Sequence, residues 1–124
     1  MARILVAEDS AMMKLYYSQI LTALPQWQTT FVKNGQEALD HIAAQGAPDL
    51  VLLDLNMPVM DGLEFLERFR GTRAAPPARV IIVSGDGPED EVERGMRAGA
   101  SACLRKPFKP EELQRMLSEL APVP

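Results

Sequence analysis

The apolar positions along the chain switch between short continuous runs and stripes at helical spacing. Ile4-Leu5-Val6-Ala7 is a nearly unbroken apolar run that ends at Glu8-Asp9. Leu50-Val51-Leu52-Leu53 ends in the same way at Asp54, and Val80-Ile81-Ile82-Val83 ends at Ser84-Gly85. Runs of this length suit strands buried on both faces, as in a parallel sheet. Thr29-Thr30-Phe31-Val32 and Ala102-Cys103-Leu104 are weaker strand candidates of the same kind. Between the runs lie helical segments. Ser10 suits a cap for a helix carrying Met12, Leu15, Tyr16, Ile20 and Leu24 on or near one face, stopping near Pro25. Further helices are expected over 36–44, 63–69, 88–98 and from 110, ended in turn by Gly46 and Pro48, by Gly71, by Gly99 and by the Pro-containing tail. Pro88 suits a first helical turn, and residues 121–124 are expected to be loose.

Strand and helix therefore alternate five times, which argues for an α/β fold: a doubly wound parallel sheet with right-handed crossovers and helices on both faces. There is no internal repeat, linker or low-complexity stretch, and the Pro/Ala-rich patch at 73–78 reads as a loop. The 124 residues make one domain, long enough to bury a core without disulfides. Apolar residues at 47% and charged residues at 24% exclude a disordered or fibrous chain. A net charge of −4 disfavours direct nucleic-acid binding. A single cysteine excludes an internal disulfide, no apolar run approaches the roughly 20 residues of a membrane span, and the early acidic pair fits no signal peptide. The expectation is a cytoplasmic chain without membrane insertion.

The chemistry gathers at the carboxyl ends of the strands, where open parallel sheets place their ligands. Glu8 and Asp9 follow the first run, Asp54 the third and Ser84 the fourth, and Lys106 follows the fifth. Crowded carboxylates repel, by about 4 kcal/mol per pair at 4 Å and an effective dielectric near 20. A hard divalent cation offsets that best, and carboxylates with no His or Cys nearby suit Mg²⁺ rather than zinc. Mg²⁺, an ammonium and a hydroxyl together are equipped to stabilise a transferring phosphoryl group, and Asp54 is the carboxylate placed to form an acyl phosphate. Taken singly, each residue has a plainer reading as a cap or a solvated surface group. The joint placement at four strand ends favours function.

These residues carry a resemblance. Val6-Ala7-Glu8-Asp9-Ser10, Leu53-Asp54-Leu55-Asn56-Met57-Pro58-Val59-Met60-Asp61-Gly62, Ile82-Val83-Ser84-Gly85, Gly99-Ala100 and Leu104-Arg105-Lys106-Pro107-Phe108 resemble the response-regulator receiver domain of bacterial two-component signalling. The likeness runs from Arg3 to about Leu120. It implies the flavodoxin-like, CheY-like (βα)5 fold with strand order 2-1-3-4-5. It implies Asp54 as phosphoacceptor, Asp9 as a direct Mg²⁺ ligand and Glu8 as a second acidic ligand through water, with Asp54 itself and the Asn56 carbonyl completing the metal site. Lys106, Ser84 and the backbone amide of Gly85 would bind the phosphoryl group, Asn56 beside them, and Lys106-Pro107 resembles the family's cis peptide. The output surface would be the fourth helix, fifth strand and fifth helix, with Ser84, Cys103 and Pro107 at the switch. The donor partner would be a histidine kinase or a histidine phosphotransfer protein. The downstream partner is not readable, and dimerisation through the last two helices stays open.

One position departs from the pattern. The family often has an aromatic switch residue three positions before the lysine, where this chain has Cys103. A cysteine is too small to rotate as a gate. Coupling then runs through Ser84 and the loop after it, or another side chain fills the space; Cys103 itself reads as a small strand residue rather than a redox sensor. His41 is expected on the surface away from the rim, Met12, Met13, Met57 and Met60 in packing, and Trp27 in a connection against the sheet edge. Asn56 and Asp86, two residues beyond Asp54 and Ser84, would influence how water reaches the acyl phosphate. The rival readings are an interaction module acting without phosphorylation, a piece of a larger regulator, and an enzyme on a related fold. For the last, a flavin binder needs a phosphate loop where Glu8-Asp9 stands, and a haloacid-dehalogenase-like phosphatase needs its nucleophile after the first strand. The protein is expected to assist its own phosphotransfer without being a turnover enzyme.

Overall fold

Alternation within each apolar run decides the architecture. Ile4, Val6, Leu50, Leu52, Ile81 and Val83 pack to one side of the sheet, and Leu5, Ala7, Val51, Leu53, Val80 and Ile82 to the other. Both faces are apolar, so both must be covered by helices. The computed structural model describes residues 2–74, 77–85, 87 and 89–122. The order is β1 (Ala2–Ala7), α1 (Ala11–Thr22), β2 (Trp27–Val32), α2 (Gly35–Gln45), β3 (Leu50–Asp54), α3 (Gly62–Arg68), β4 (Arg79–Ser84), α4 (Glu89–Arg97), β5 (Ala102–Arg105) and α5 (Pro110–Leu120), with a short 3₁₀ turn at Gly71–Arg73. The strands form one parallel five-stranded sheet in the order β2-β1-β3-β4-β5, as expected. Tyr17, Ile20, Leu113 and Leu117 of α1 and α5 cover one face, and Ala38, Phe65, Leu66 and Val92 of α2, α3 and α4 cover the other.

The caps explain the helix starts. Ser10 accepts from the Met13 backbone N–H, Asn34 from Glu37 and Asp61 from Glu64. Gly46 and Gly99, with φ of 83° and 120°, end α2 and α4 in a conformation that costs other residues dearly. The expected starting Pro88 of α4 and the tail beyond Pro122 lie outside the described residues.

Two expectations are corrected. Trp27 is buried as the first residue of β2, in register with Ala2, because the second strand starts two residues earlier than its apolar run indicates. On α1 the buried stripe is Tyr17, Ile20 and Leu21; Met12 and Leu15 are 84% and 61% exposed. The helix is apolar on more than one side, so its sequence pattern alone does not identify the core face.

Gly62, at the start of α3, sits against the end of β3 with no room for a side chain. A β-carbon there would overlap the Asp54 carbonyl oxygen and lie 2.9 Å from Leu55 Cα. Both obstacles are backbone and cannot swing aside. Gly62→Ala is expected to destabilise the protein by about 3 kcal/mol, the upper range for overpacking. That corresponds to a melting temperature lower by roughly 10 °C. A thermal melt within a degree or two of wild type would refute the close approach.

Candidate functional site

The parallel register brings every strand's carboxyl end to one rim. Glu8 lies one residue past β1, tied down by its backbone N–H to the Val32 carbonyl at 3.0 Å, and is 3% exposed. Asp54 ends β3 at 8% exposure, and Ser84 ends β4 at 4%. Asp9 is exposed on the connection to α1. The three carboxylates of Glu8, Asp9 and Asp54 each bring an oxygen within 4.8 Å of the others. Asp54 Oδ1 accepts from the Asn56 backbone N–H at 3.0 Å, which turns the chain sharply out of β3. A tight turn follows, in which the Met60 N–H donates to the Pro58 carbonyl around Val59 at φ 68°.

Lys106 links the rim together. Its backbone N–H donates to the Ser84 carbonyl at 2.7 Å. Its Nζ donates to Glu8 Oε1 at 3.0 Å and lies 3.5 Å from Asp54 Oδ2. Gly85 borders the stem of the same lysine: a β-carbon there would stand 4.0 Å from Lys106 Cβ and Cδ. The Lys106–Pro107 peptide is cis. One ammonium thus serves two buried carboxylates. Burial pushes the Glu8 carboxyl above its ordinary range, the hydrogen bond from Lys106 pulls it back, and the charge of Asp54 pushes it up again.

The donor set fits a hard cation. At Mg²⁺–oxygen distances of about 2.0–2.1 Å, ligands across one ion stand about 4 Å apart, and these oxygens need little movement to reach that. Among the described residues there is no softer ligand at the rim. Cys103 is half-buried on β5, in register with Ile82 and packed towards the α2–α3–α4 side. Cys103 is near Arg105, which bonds Glu89 of α4. His41 is half-exposed on α2, beside Arg3 and Pro48 and away from the acidic rim.

Tyr17 lies off the stripe that the sequence assigns to α1, so the pattern gives no sign of its place near the site. It is buried, its ring lies 5.9 Å from that of Phe108, and burial followed by the charges of Glu8 and Asp54 drives its phenol upward. The folded chain then keeps a proton that the unfolded chain loses above pH 10.0. Stability contributed by Tyr17 is therefore lost as pH rises beyond that point. Tyr17→Phe is expected to flatten the alkaline end of the stability–pH curve; an unchanged slope would remove Tyr17 as its cause.

Residues 4–118 match the family model described as response regulator receiver domain. The chain belongs to that family. It is a receiver domain of two-component response regulators, and its fold is the CheY-like one. Among relatives, the nitrate/nitrite response regulator protein NarL of Escherichia coli K12 is 32% identical over 121 residues, covering 97% of this chain and 55% of that protein. The chain spans about half the length of that relative. The chemotaxis protein CheY of Thermotoga maritima is 28% identical, with 96% of this chain and 97% of that one covered. Among solved structures, Vibrio cholerae CheY4 superposes with a TM-score of 0.83 at 28% identity, covering 97% and 98% of the two chains. The receiver domain of the Pseudomonas aeruginosa sensor histidine kinase PA1611 superposes with a TM-score of 0.82 at 28% identity over 96% of each chain, and that structure has a magnesium ion in its active-site cleft. Among the described residues of this receiver, no helix is long and apolar enough to cross a membrane.

Proposed function

We propose that this receiver is a phosphorylation-dependent switch that takes a phosphoryl group onto Asp54 from a histidine kinase or a histidine phosphotransfer protein in the cytoplasm. The observation that carries the reading is Lys106, whose ammonium spans Glu8 and Asp54 while its backbone is bonded to Ser84. An Asp54 oxygen attacks the donor phosphorus, the new O–P bond forms, and the P–N bond to the donor imidazole breaks. Mg²⁺ held by Glu8, Asp9, Asp54 and the Asn56 carbonyl would supply positive charge to the phosphoryl oxygens. Lys106 turns from the Asp54 carboxylate onto a phosphoryl oxygen. The Ser84 hydroxyl and the Gly85 backbone N–H donate to another. The protein assists its own transfer and its own hydrolysis and is not a turnover enzyme.

An apolar groove of about 450 Å³ supports the choice of donor. Met12, Leu15 and Tyr16 of α1 line it with Pro107 and Phe108, and so does Lys106. An amphipathic helix bearing the donor histidine would lie in this groove with its imidazole beside Asp54, since the lysine belongs to groove and pocket alike. Output runs through α4, β5 and α5. Cys103 leaves no aromatic gate at its position, so the signal passes from Ser84 along the connection to α4. Asp86, assigned a part in water access from the sequence, lies outside the described residues.

The test is incubation with a small-molecule phosphodonor, with and without Mg²⁺, followed by intact mass and peptide mapping. A Mg²⁺-dependent gain of one phosphoryl group mapped to Asp54 supports the switch. No gain in any condition overturns it and leaves a module that binds its partners without phosphorylation.

A further inference from the structure

The outer wall of the pocket has a member that the roles above do not use. Gly87 lies in the connection between β4 and α4. A β-carbon on it would stand 3.7 Å from Asn56 Nδ2, 3.7 Å from Glu91 Oε2 and 4.0 Å from Ser84 Oγ. Three polar ends, from the β3–α3 connection, the first turn of α4 and the end of β4, thus converge on one point. A β-carbon would meet all three at ordinary van der Waals distance, so they surround this position without crowding it. Asn56 and Glu91 also line a groove of about 240 Å³ between α3 and α4. At about 30 Å³ per water molecule, such a groove admits several. Asn56, which lines it, lies two residues beyond Asp54 and bonds the Asp54 Oδ1 through its backbone N–H at 3.0 Å.

We propose that Glu91, together with Asn56, positions the water that hydrolyses the acyl phosphate on Asp54, so that α4 helps to set the lifetime of the signal. The proposal rests on the reading of Asp54 as phosphoacceptor. The amide Nδ2 of Asn56 donates to the water oxygen, and Glu91 Oε2 accepts from one of its O–H groups. That pairing leaves a lone pair free to face phosphorus. The water oxygen bonds to phosphorus and the bond from phosphorus to the Asp54 oxygen breaks. Its electron pair returns to the Asp54 carboxylate, and both protons of the water leave with inorganic phosphate. Neither the Asn56 side chain nor the Glu91 carboxylate has another hydrogen-bond partner among the described residues, so both are available to water.

Wild type, Glu91→Ala, Glu91→Gln and Glu91→Asp are phosphorylated with a small-molecule donor, the donor is removed, and acyl-phosphate decay is followed. Mg²⁺ affinity and melting temperature are measured on the unphosphorylated proteins. Decay is expected to slow roughly tenfold in Glu91→Ala, in line with loss of one positioning contact. Glu91→Gln, which keeps an acceptor and loses the charge, falls between, and Glu91→Asp recovers part of the rate. Mg²⁺ affinity and melting temperature stay at wild-type values. Decay in Glu91→Ala at or above the wild-type rate overturns the proposal, as does a slower decay accompanied by a fall in both control measurements. Absence of phosphoryl uptake by wild type itself overturns the reading of Asp54, and the role of Glu91 with it.

Discussion

Asp54→Asn is expected to end phosphoryl uptake completely and, in a chelator, to yield a protein more stable than wild type. The first effect follows from chemistry: a carboxamide oxygen is too weak a nucleophile to form the acyl phosphate. The second follows from the geometry. Asp54 and Glu8 are both buried, bring carboxylate oxygens within 4.8 Å, and share one lysine. At an effective dielectric near 20 that repulsion is about 3 kcal/mol before Lys106 offsets it. The substituted carboxamide keeps an acceptor for the Asn56 N–H and removes the charge, so a net gain of about 1 kcal/mol is expected. The pH dependence has a definite sign. With its carboxyl held above the reference value of 4.5, Glu8 binds a proton more tightly in the folded chain than in the unfolded one. Stability therefore falls as pH rises from that value through the raised one. Removing the Asp54 charge takes away one cause of the rise, so the fall should be smaller in the variant. Intact mass and denaturant melts between pH 4 and 8 read both effects. A variant that still gains a phosphoryl group, or that is less stable than wild type in chelator, would falsify this account of the pocket.

The parts of the site legible in the sequence are those fixed by position along the chain. A buried parallel strand must end where its apolar run ends, so Glu8, Asp54 and Ser84 declare their places as soon as the strands are drawn. Lys106 is legible for the same reason, two residues beyond the last apolar position of β5. The motif resemblance then supplies roles that the bare spacing leaves open. What stays hidden depends on packing between elements distant in sequence. Glu91 reads as one of three acidic residues in a first helical turn, an ordinary response to the helix dipole. It shares a groove with Asn56 only because α4 lies close against the sheet and α3. Gly95 permits that, since a β-carbon there would overlap Ile82, and Arg94 bonds Glu67 of α3 at 3.2 Å. Tyr17, Met12 and Leu15 escape the pattern for a related reason. A helix apolar on two sides does not say which side meets the sheet, and α1 exposes one of them at the groove beside Lys106.

Lys106→Ala is expected to cost both stability and chemistry, and Mg²⁺ should separate the two. The Glu8 side chain is 1% exposed, and loss of its ammonium partner leaves a buried carboxylate that, among the described residues, keeps only the Ser10 N–H as donor. Breaking a fully buried pair costs about 3–5 kcal/mol. The Lys106 side chain is 22% exposed, and water can take part of its place, so about 2 kcal/mol is expected in chelator at pH 7. The loss should be smaller at pH 5. Without the lysine, which lowers the Glu8 carboxyl, that group rises further and accepts a proton more readily, relieving the unpaired charge. Saturating Mg²⁺ offers the same carboxylates a different cation and should restore most of the stability at pH 7. Phosphoryl uptake should not recover with it. Mg²⁺ held by the carboxylates would not replace the ammonium that the proposed reaction brings to a phosphoryl oxygen, and loss of one preorganised donor of this kind slows a transfer by about 10²–10³-fold. Thermal melts in chelator and in Mg²⁺, paired with uptake rates from a small-molecule donor, decide the matter. Equal stability of variant and wild type in chelator would mean that the Lys106–Glu8–Asp54 bridge does not hold the pocket. Recovery of the uptake rate in Mg²⁺ would mean that Lys106 serves the fold alone.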